Sequence, residues 1–327
     1  MRAIAIAKPG GPEVLTLVER PDPEPSRGEV RVRIHATAVN RADLLQRMGA
    51  YPAPADSPPD IPGLEIAGEV DALGPGVERL KKGDRVFGLV GGGGYAEAVV
   101  SHERALAKIP DGMSWEDAAA VPEAFITAHD AMVRGGARTG EVLLVHAAGS
   151  GVGTAAIQLG RALGATVIGT ARTADKLERA TSLGMDHGIV VTGATFADEV
   201  KKLAPDGAAC TLELVGGAYL AEDLRCVKTL GSIVLVGLMA GVKGELDLSL
   251  LLRKRATIVG TVLRARPLEE KIAAVRAFEA QVVPLLARGA VKPIVDQVMP
   301  LADAANAHAR MASNAGFGKI VLRCDRA

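Results

Sequence analysis

The sequence has few aromatic residues and few cysteines. Aromatic residues make up only 3% of its 327 residues, which leaves few rings on which the bases of single-stranded nucleic acid could stack. The three cysteines, Cys210, Cys226 and Cys324, are an odd number and form no C-x-x-C pair. A disulfide framework is therefore not expected, and we predict a reducing, cytoplasmic location.

Net charge and long apolar segments are also lacking. Lys plus Arg and Asp plus Glu both number 38, for a formal net charge of +0, which gives no electrostatic reason to bind nucleic acid or an anionic membrane. No uninterrupted apolar stretch reaches the roughly 18–20 residues of a membrane span. The apolar start of the chain ends at Lys8 and is too short for a signal peptide. We therefore expect neither nucleic acid nor a membrane as a partner.

Glycine and apolar residues, in contrast, are abundant. Hydrophobic residues make up 48% of the chain and there are 38 glycines, enough for a large core and many tight turns. Short β-branched segments separated by Pro- and Gly-rich turns predict a β-rich domain over residues 1–118. From Glu141 onwards, strand and helix patterns alternate as in a doubly wound parallel sheet. The sequence predicts an α/β protein in which residues 119–260 form the parallel-sheet domain and 261–327 return to the first domain.

The predicted elements follow from hydrophobic periodicity and turn residues. Strands are predicted at 2–6, 29–34, 66–73, 95–99, 142–146, 166–171, 188–191, 209–214, 232–236, 256–262, 294–299 and 319–322. Helices are predicted at 41–48, after a Ser114 cap, from Pro122, and at 152–163, 174–184, 195–203, 218–229 and 267–287. The strands at 294–299 and 319–322 have partners only if the chain returns to the β-rich domain.

The motif that organises the chain is a strand, a small-residue turn and a helix at 142–159. The turn and the start of the helix consist of small residues, which are Ala148, Gly149, Ser150, Gly151, Val152 and Gly153. Unpaired N–H groups at a helix N-terminus bind a pyrophosphate when small residues let the backbone come close. G-x-G-x-x-G is incomplete in either frame, so a glycine-rich turn that binds no nucleotide is the alternative interpretation.

The end of the second strand of this domain indicates which nicotinamide nucleotide would bind. An acidic residue usually ends that strand and holds the adenosine ribose, but here Arg172, Thr173 and Lys176 follow it. Cationic side chains bind a 2′-phosphate, which an acid would repel, so the pattern favours NADPH. Asp175 partly offsets this charge. The alternative is that Arg172 and Lys176 are solvated surface charges around a helix that Thr173 caps.

Several segments together resemble the quinone oxidoreductases of the medium-chain dehydrogenase/reductase superfamily. The similarity is to the zeta-crystallin-like group, and within it most to the tumour-suppressor-induced NADPH quinone oxidoreductases. It runs end to end and rests on 40–47, 49–52, 63–68, 93–97, 122–128, His146–Leu159 and 318–322. This group carries A-x-x-G-x-G in the turn, here Ala148, Gly151 and Gly153. The resemblance implies a GroES-like β-rich domain and a Rossmann domain that binds NADPH.

The resemblance also implies that zinc is absent. Alcohol dehydrogenases of the superfamily bind catalytic zinc with a Cys and with the His of a G-H-E motif, and these positions are Asn40 and Leu64 here. Neither side chain is a usual zinc ligand. Without a Lewis acid, an alcohol substrate lacks the usual group that promotes its conversion to an alkoxide. Quinones and activated enones, which accept hydride directly, become the expected substrates.

Site residues are carried over from the family by position. Those expected in the nicotinamide and substrate region are Asn40, Asp43, Tyr51 and Thr127, and further cofactor contacts are Gly237, Leu238, Asn314 and Lys319. The alternative interpretations are a turn residue for Asn40 and a helix cap for Asp43. For Tyr51 the alternative is a ring packed under its loop, and for Thr127 it is a helix threonine bonded to a carbonyl. For Lys319 the alternative is an exposed strand residue. His146 is expected to be a buried structural histidine. A tyrosine that some relatives place near the adenosine phosphate is absent around Val191.

The sequence thus predicts a zinc-free NADPH:quinone reductase. Reduction of an enone or enoyl thioester, with Tyr51 delivering or organising a proton, is the alternative enzyme function. An NADPH-binding sensor or structural protein with little turnover is the alternative from another class. The apolar edge strand at 256–262 predicts a homodimer, with a tetramer as the alternative.

Overall fold

The computed structural model describes residues 1–324, and the chain divides into two compact units. The first unit comprises Met1–Ile126 and Leu263–Ala327, and the second comprises Thr127–Val262. The expected boundaries were near 118 and 260, so the segment up to Ile126 lies with the first unit. A hydrogen bond helps to fix it there: the Glu123 N–H donates to Glu65 Oε2 at 2.8 Å.

The N-terminal part of the first unit is mainly antiparallel sheet. Its strands are β1 (Arg2–Ile6), β2 (Leu15–Glu19), β3 (Glu29–Val39), β4 (Glu65–Leu73), β5 (Arg85–Leu89), β6 (Ala98–His102) and β7 (Leu106–Lys108). Its helices are α1 (Arg41–Arg47) and α2 (Trp115–Ala119), and a π-helical turn follows at Pro122–Ile126. The side chain of Ser114 caps α2 as predicted, by accepting the Asp117 N–H. Long β3 pairs with β4 on one side and with β6 on the other, which places its buried valines at the centre of the core.

The second unit is a parallel six-stranded sheet with helices between the strands. Its helices are α3 (Thr127–Arg134), α4 (Gly151–Leu163), α5 (Ala174–Thr181), α6 (Ala197–Leu203), α7 (Tyr219–Cys226) and α8 (Leu248–Lys254). Its strands are β8 (Val142–Val145), β9 (Thr166–Ala171), β10 (His187–Val190), β11 (Ala208–Glu213), β12 (Val227–Leu235) and β13 (Thr257–Gly260). The strand order is β10-β9-β8-β11-β12-β13, so the direction of winding reverses between β8 and β11. This is the doubly wound Rossmann arrangement, in which ligands bind at that point.

The C-terminal segment completes the first unit. It contains α9 (Leu268–Gln281), α10 (Val283–Ala287), β14 (Val295–Pro300), α11 (Ala304–Ala312) and β15 (Lys319–Arg323). β15 pairs with β3 in antiparallel register and with β14 in parallel register. The last two strands of the described chain therefore lie in the same sheet as β3.

Two helices and three strands were not predicted. The strands β2, β5 and β7 are short, and β2 leaves Leu17 exposed. α8 leaves Leu248 and Leu252 exposed, so its apolar residues do not mark a buried face. α11 consists largely of alanine and has few large apolar residues. Within the described residues, no helix is both long and apolar enough to cross a membrane. The three cysteines are buried and unbridged.

Candidate active site

The turn between β8 and α4 has the geometry that a dinucleotide-binding loop requires. The chain leaves β8 through Ala147, which has a positive φ of 49°. Ser150 then caps α4, since its Oγ accepts the Gly153 N–H at 3.0 Å. A Cβ on Gly153 would lie 2.4 Å from the Ala147 carbonyl oxygen, so only glycine allows the helix to start this close to the strand. The incomplete glycine fingerprint therefore keeps the position at which close packing demands glycine.

The N-terminus of α4 offers donors to an anion. The first N–H groups of a helix, here those of Gly151 and Val152, have no intrahelical acceptor. α4 spans 13 residues, and its dipole adds partial positive charge at this end. Both features lie at the C-terminal end of β8, where the winding of the sheet reverses. A pyrophosphate fits this end of the helix.

The residues expected to select the 2′-phosphate lie at the end of β9. Arg172 and Thr173 are exposed and Lys176 is half-buried. Thr173 occupies the N-cap position of α5, but its side chain makes no capping bond to the backbone. Its hydroxyl is instead hydrogen-bonded to Asp175 and lowers the pKa of that carboxyl. Thr173 therefore occupies the N-cap position with its backbone, but its side chain does not cap the helix.

Thr127, Gly237 and Leu238 are the other expected cofactor contacts of the second unit. Thr127 begins α3, and its buried Oγ1 has no hydrogen-bond partner within the described residues. The alternative bond to a helix carbonyl is therefore not formed, and this hydroxyl can still bind a ligand. Gly237 packs closely on Leu214, since a Cβ there would lie 2.6 Å from the Leu214 carbonyl oxygen. Leu238 beside it is 51% exposed.

Three buried ionisable side chains lie close together near the C-terminal ends of β8 and β11. The Nε2 atom of His146 lies 2.7 Å from Asp223 Oδ1 and 3.7 Å from Glu213 Oε2. The other ring nitrogen of His146 lies 2.8 Å from Thr170 Oγ1. His146 is fully buried, as expected of a structural histidine. These three side chains also form a group, within the described part of the chain, whose ligand atoms are close enough to hold a cation.

The two carboxyls of this group share a proton. If both were ionised, Glu213 Oε2 and Asp223 Oδ2 would be buried without a donor. Burial raises the pKa of Glu213 to about 8 and the pKa of Asp223 to about 7. A protonated Glu213 donates to Asp223, which removes the unsatisfied pair. Burial also lowers the pKa of His146, which keeps the imidazole neutral.

A buried ion pair organises the first unit. The Lys319 ammonium lies 2.6 Å from Glu65 Oε1, and both side chains are almost inaccessible to solvent. It donates further to Asn40 Oδ1 at 2.5 Å and to the Val39 carbonyl at 3.3 Å. The Asn40 amide in turn donates to Glu65 Oε1 at 2.8 Å. Lys319 is therefore buried and not an exposed strand residue, and its three protons already point at protein oxygens.

Asp43 belongs to a buried chain of hydrogen bonds that starts from the same helix end. Its carboxylate accepts the N–H groups of Asn40 at 2.8 Å and Gly63 at 3.1 Å, which makes Asn40 and Asp43 a capping box for α1. Tyr95 donates its O–H to the same carboxylate at 3.2 Å. Burial raises the pKa of Asp43 to about 6. The structure thus gives Asp43 the capping role, and a contact with substrate stays a prediction.

The chain of hydrogen bonds continues through His308. Arg47 lies 3.3 Å from His308 Nδ1, and an arginine can only donate, so Nδ1 accepts. The proton therefore sits on Nε2, which lies 3.0 Å from the Tyr95 oxygen. Burial and, as the smaller cause, the positive charge of Arg47 together lower the pKa of His308 to about 3. Arg47 therefore donates to His308, His308 donates to Tyr95, and Tyr95 donates to the Asp43 carboxylate, which accepts.

Tyr51 is held by Arg264. The guanidinium carbon lies 5.1 Å from the centre of the Tyr51 ring, and Nη1 donates to the Tyr51 carbonyl at 3.3 Å. Arg264 also donates to the Gly91 carbonyl at 2.7 Å and to Gln46 Oε1 at 2.6 Å. Burial raises the pKa of the Tyr51 hydroxyl, which makes it a weaker acid than an exposed tyrosine. It remains able to donate a hydrogen bond.

Glu123 and Arg264 line one small cavity of the first unit. Its walls are otherwise Leu64, Leu89, Val90, Leu263 and Lys271. Glu123 is half-buried. Its pKa is raised to about 8, mainly by burial and secondly by the negative charge of Glu65. At neutral pH this carboxyl is mainly protonated.

Asn314 lies beyond the end of α11 with a positive φ of 56°. Its Oδ1 accepts from Arg41 at 2.5 Å and its amide donates to the Ala312 carbonyl at 3.1 Å. It closes a turn of the first unit. Its contact with a cofactor stays a prediction.

Sequence reasoning overlooked Glu65, Glu123, Tyr95, His308 and Arg264. The first three lie in segments that carried the resemblance, so their position was available although their role was not. Arg264 and His308 gave no local signal, because their partners lie far away in the sequence.

Two family models match the chain. Residues 26–111 match the alcohol dehydrogenase GroES-like domain. Residues 151–280 match the zinc-binding dehydrogenase family. The two matches fall on the antiparallel and parallel sheets, respectively.

Similar proteins cover almost the whole chain. A quinone oxidoreductase of Rattus norvegicus is 32% identical over 327 residues, which span 98% of this chain and 97% of the relative. A solved structure of Escherichia coli quinone oxidoreductase complexed with NADPH is 29% identical with a TM-score of 0.88, and the match covers 99% of this chain and 100% of that chain. A solved NAD-dependent alcohol dehydrogenase is 35% identical with a TM-score of 0.88, over 99% of this chain and 100% of that chain.

Proposed function

The chain belongs to the quinone oxidoreductase-like medium-chain dehydrogenases/reductases, and we propose that it reduces quinones with NADPH and without zinc. The observation that carries the proposal is that the Lys319 ammonium donates hydrogen bonds to Asn40 and Glu65. Asn40 stands where zinc enzymes of the superfamily have a cysteine ligand. The oxygens that a cation would use there are bound to an ammonium group.

Three features of the second unit fit NADPH. The α4 N-terminus offers N–H groups to the pyrophosphate. The buried Thr127 hydroxyl has no partner within the described residues, so a polar group of the cofactor can satisfy it. Arg172 is exposed at the strand end where the 2′-phosphate of NADPH would lie.

The chemistry divides between cofactor and protein. NADPH, when bound, supplies a hydride. The protein orients the substrate and stabilises the oxygen that becomes negatively charged. Arg264 is the cation suited to this, because its guanidinium is pinned by Tyr51, Gly91 and Gln46 and loses little freedom on binding. Tyr51 is proposed to donate a hydrogen bond to a quinone oxygen.

Mixing the purified protein with NADPH and 1,4-benzoquinone tests the proposed function. We expect absorbance of the NADPH band to fall much faster than the uncatalysed drift. An unchanged rate would contradict the proposal. If an enone is reduced and the quinone is not, the alternative reductase function is correct. Tight NADPH binding without turnover on either acceptor would favour a sensor or structural role.

Arg172→Ala should weaken the preference for NADPH. The substitution removes a charge-assisted contact with the 2′-phosphate, which is worth about 1.5–3 kcal/mol. We expect kcat/KM for NADPH to fall by about 10- to 100-fold, while kcat/KM for NADH stays the same. Steady-state kinetics with both cofactors check this, and Arg179→Ala, further along the same helix, is the control. An unchanged NADPH preference would show that Arg172 does not hold the phosphate.

We also propose that the protein forms a homodimer through the edge of the parallel sheet. β13 is one of the two edge strands of this sheet, and β10 is the other. Leu248 and Leu252 on neighbouring α8 are 66% and 77% exposed and lie one helical turn apart. An unpaired edge beside exposed leucines is a surface that a second copy would cover.

Leu252→Asp should disrupt this dimer. A charge in the interface would be buried without a partner, and we expect a single 33.7 kDa species in sedimentation velocity. The unaltered protein should sediment as a dimer. A monomeric unaltered protein would contradict the assembly, and a tetramer would require a second interface.

A further inference from the structure

The cavity beside Glu123 has the size and chemistry of a site for one oxygen atom. Its volume is about 20 Å³, which is room for about one water-sized group. Leu64, Leu89, Val90 and Leu263 form its apolar walls, and its polar lining consists of Glu123, Arg264 and Lys271. A small apolar cavity with a few convergent polar groups favours a carbonyl oxygen that carries an apolar ring.

Arg264 can hold such an oxygen. Nε and the two terminal nitrogens each make one bond to the protein, with Gly91, Tyr51 and Gln46 as the acceptors. A guanidinium has five N–H groups, so two donors remain for a ligand. The same bonds fix the plane of the guanidinium at the cavity wall.

Glu123 differs from the other acidic groups nearby. Asp43 is fully buried and both of its oxygens accept hydrogen bonds from the protein. Glu65 is fully buried, and its oxygens accept from Lys319, Asn40 and the Glu123 N–H. Glu123 is half-buried and lines the cavity. Its hydrogen bond to Glu65 is made by its backbone N–H and not by its carboxyl. It is the carboxyl placed to meet a ligand.

We propose that Glu123 is the catalytic acid of this protein and that it gives its proton to the substrate oxygen held by Arg264 in this cavity. The inference rests on the proposed function and adds the proton donor that function needs. Tyr51, the donor expected from the sequence, is a weaker acid because burial raises its pKa.

NADPH, when bound, would supply a hydride to one carbonyl oxygen of a quinone. This transfer adds two electrons and one proton, and it leaves NADP⁺ and a hydroquinone monoanion. The negative charge lies on the far oxygen, in the cavity beside Arg264. The O–H bond of Glu123 breaks and an O–H bond forms at that oxygen, which completes the hydroquinone. The Glu123 carboxylate then regains a proton from water.

The charges around Glu123 keep it protonated before the step. Burial, the carboxylate of Glu65 and, less strongly, Asp43 raise its pKa, whereas Lys319 and Arg264 lower it. The net result is a pKa of about 8. The Lys271 ammonium also lines the cavity and is the other group that could supply a proton.

Kinetics of Glu123→Gln test the inference. With NADPH and 1,4-benzoquinone, we expect kcat of the unaltered protein to fall as the pH rises through about 8, because Glu123 loses its proton. Glu123→Gln should lower kcat by about 10²-fold, the lower end for a positioned acid, and remove this pH dependence. Glu123→Asp should retain it. The NADPH dissociation constant and the melting temperature should not change, and Glu69→Gln, at an exposed position of β4, is the matched control.

The possible outcomes distinguish a wrong proton donor from a wrong proposed function. If the unaltered protein is active and Glu123→Gln keeps the same kcat and pH profile, the inference is wrong and the proposed function stands. If Lys271→Met abolishes the pH dependence and Glu123→Gln does not, the proton comes from Lys271. An unaltered protein that binds NADPH but consumes none with the quinone overturns both claims.

Discussion

Replacing Lys319 by Met lowers the free energy of unfolding by about 3–5 kcal/mol, the cost of leaving a buried charge without its partner. The Glu65 carboxylate is fully buried, and Lys319 lies 2.6 Å from its Oε1. Met preserves much of the apolar stem and removes only the ammonium. The Asn40 Oδ1 atom also loses its donor. Chemical denaturation at pH 7 measures the change.

The double variant Glu65→Gln with Lys319→Met separates charge from packing. With no charge left to bury, we expect it to recover a large part of the lost stability. Arg323→Met, on the same strand but exposed, is the control and should change stability by less than about 0.5 kcal/mol. If Lys319→Met proves as stable as the unaltered protein, the ammonium does not compensate the Glu65 charge. Lys319 would then be free to contact a cofactor.

The second expected result is a loss of stability at alkaline pH that Glu213→Gln abolishes. The pKa values of Glu213 and Asp223 are raised to about 8 and about 7 by burial, above their usual values of 4.5 and 3.8. The folded state therefore binds protons more tightly than the unfolded state. The stabilisation is complete below about pH 4, decreases progressively as the pH rises, and is lost once the pH has passed through the folded-state pKa values of about 7 and about 8.

Glu213→Gln mimics the protonated carboxyl. Its amide can donate to Asp223, and its oxygen can accept the N–H groups of Val215 and Gly216 as Glu213 does. Because one pKa unit corresponds to about 1.4 kcal/mol, we expect this variant to be more stable than the unaltered protein by about 4–5 kcal/mol at pH 9. At about pH 4 the two should be equal. Denaturation across this pH range checks the prediction.

The exposed residue Glu178 on α5 provides the control. Glu178→Gln should leave the pH dependence unchanged. Carboxyls with lowered pKa values, such as Asp71 and Asp84, act in the opposite direction and at lower pH, since their stabilisation is lost as the pH falls. Parallel stability curves for Glu213→Gln and the unaltered protein would refute the shared proton.

The parallel-sheet unit could be predicted closely because its signals are local. A buried strand, a small-residue turn and an amphipathic helix follow one another in the sequence, and β9 was predicted at its observed bounds, Thr166–Ala171. Ser114 as a cap depends on a partner three residues away. In such cases the residues that contact each other are close together in the sequence.

The site of the first unit could be predicted only in part. Asn40 and Lys319 were recognised by resemblance, but their bond joins residues 279 positions apart, and no periodicity indicates such a pair. Burial also changes the chemistry of a residue in ways that the sequence does not show. Glu123 is an ordinary carboxylate in the sequence and a protonated acid in the fold.

The most direct test of the account is NADPH consumption with 1,4-benzoquinone in the presence of EDTA, beside the same reaction without EDTA and beside oxidation of a simple alcohol with NADP⁺. We expect equal, rapid quinone reduction with and without the chelator and no alcohol oxidation. Loss of quinone reduction in EDTA, or alcohol oxidation faster than quinone reduction, would contradict it.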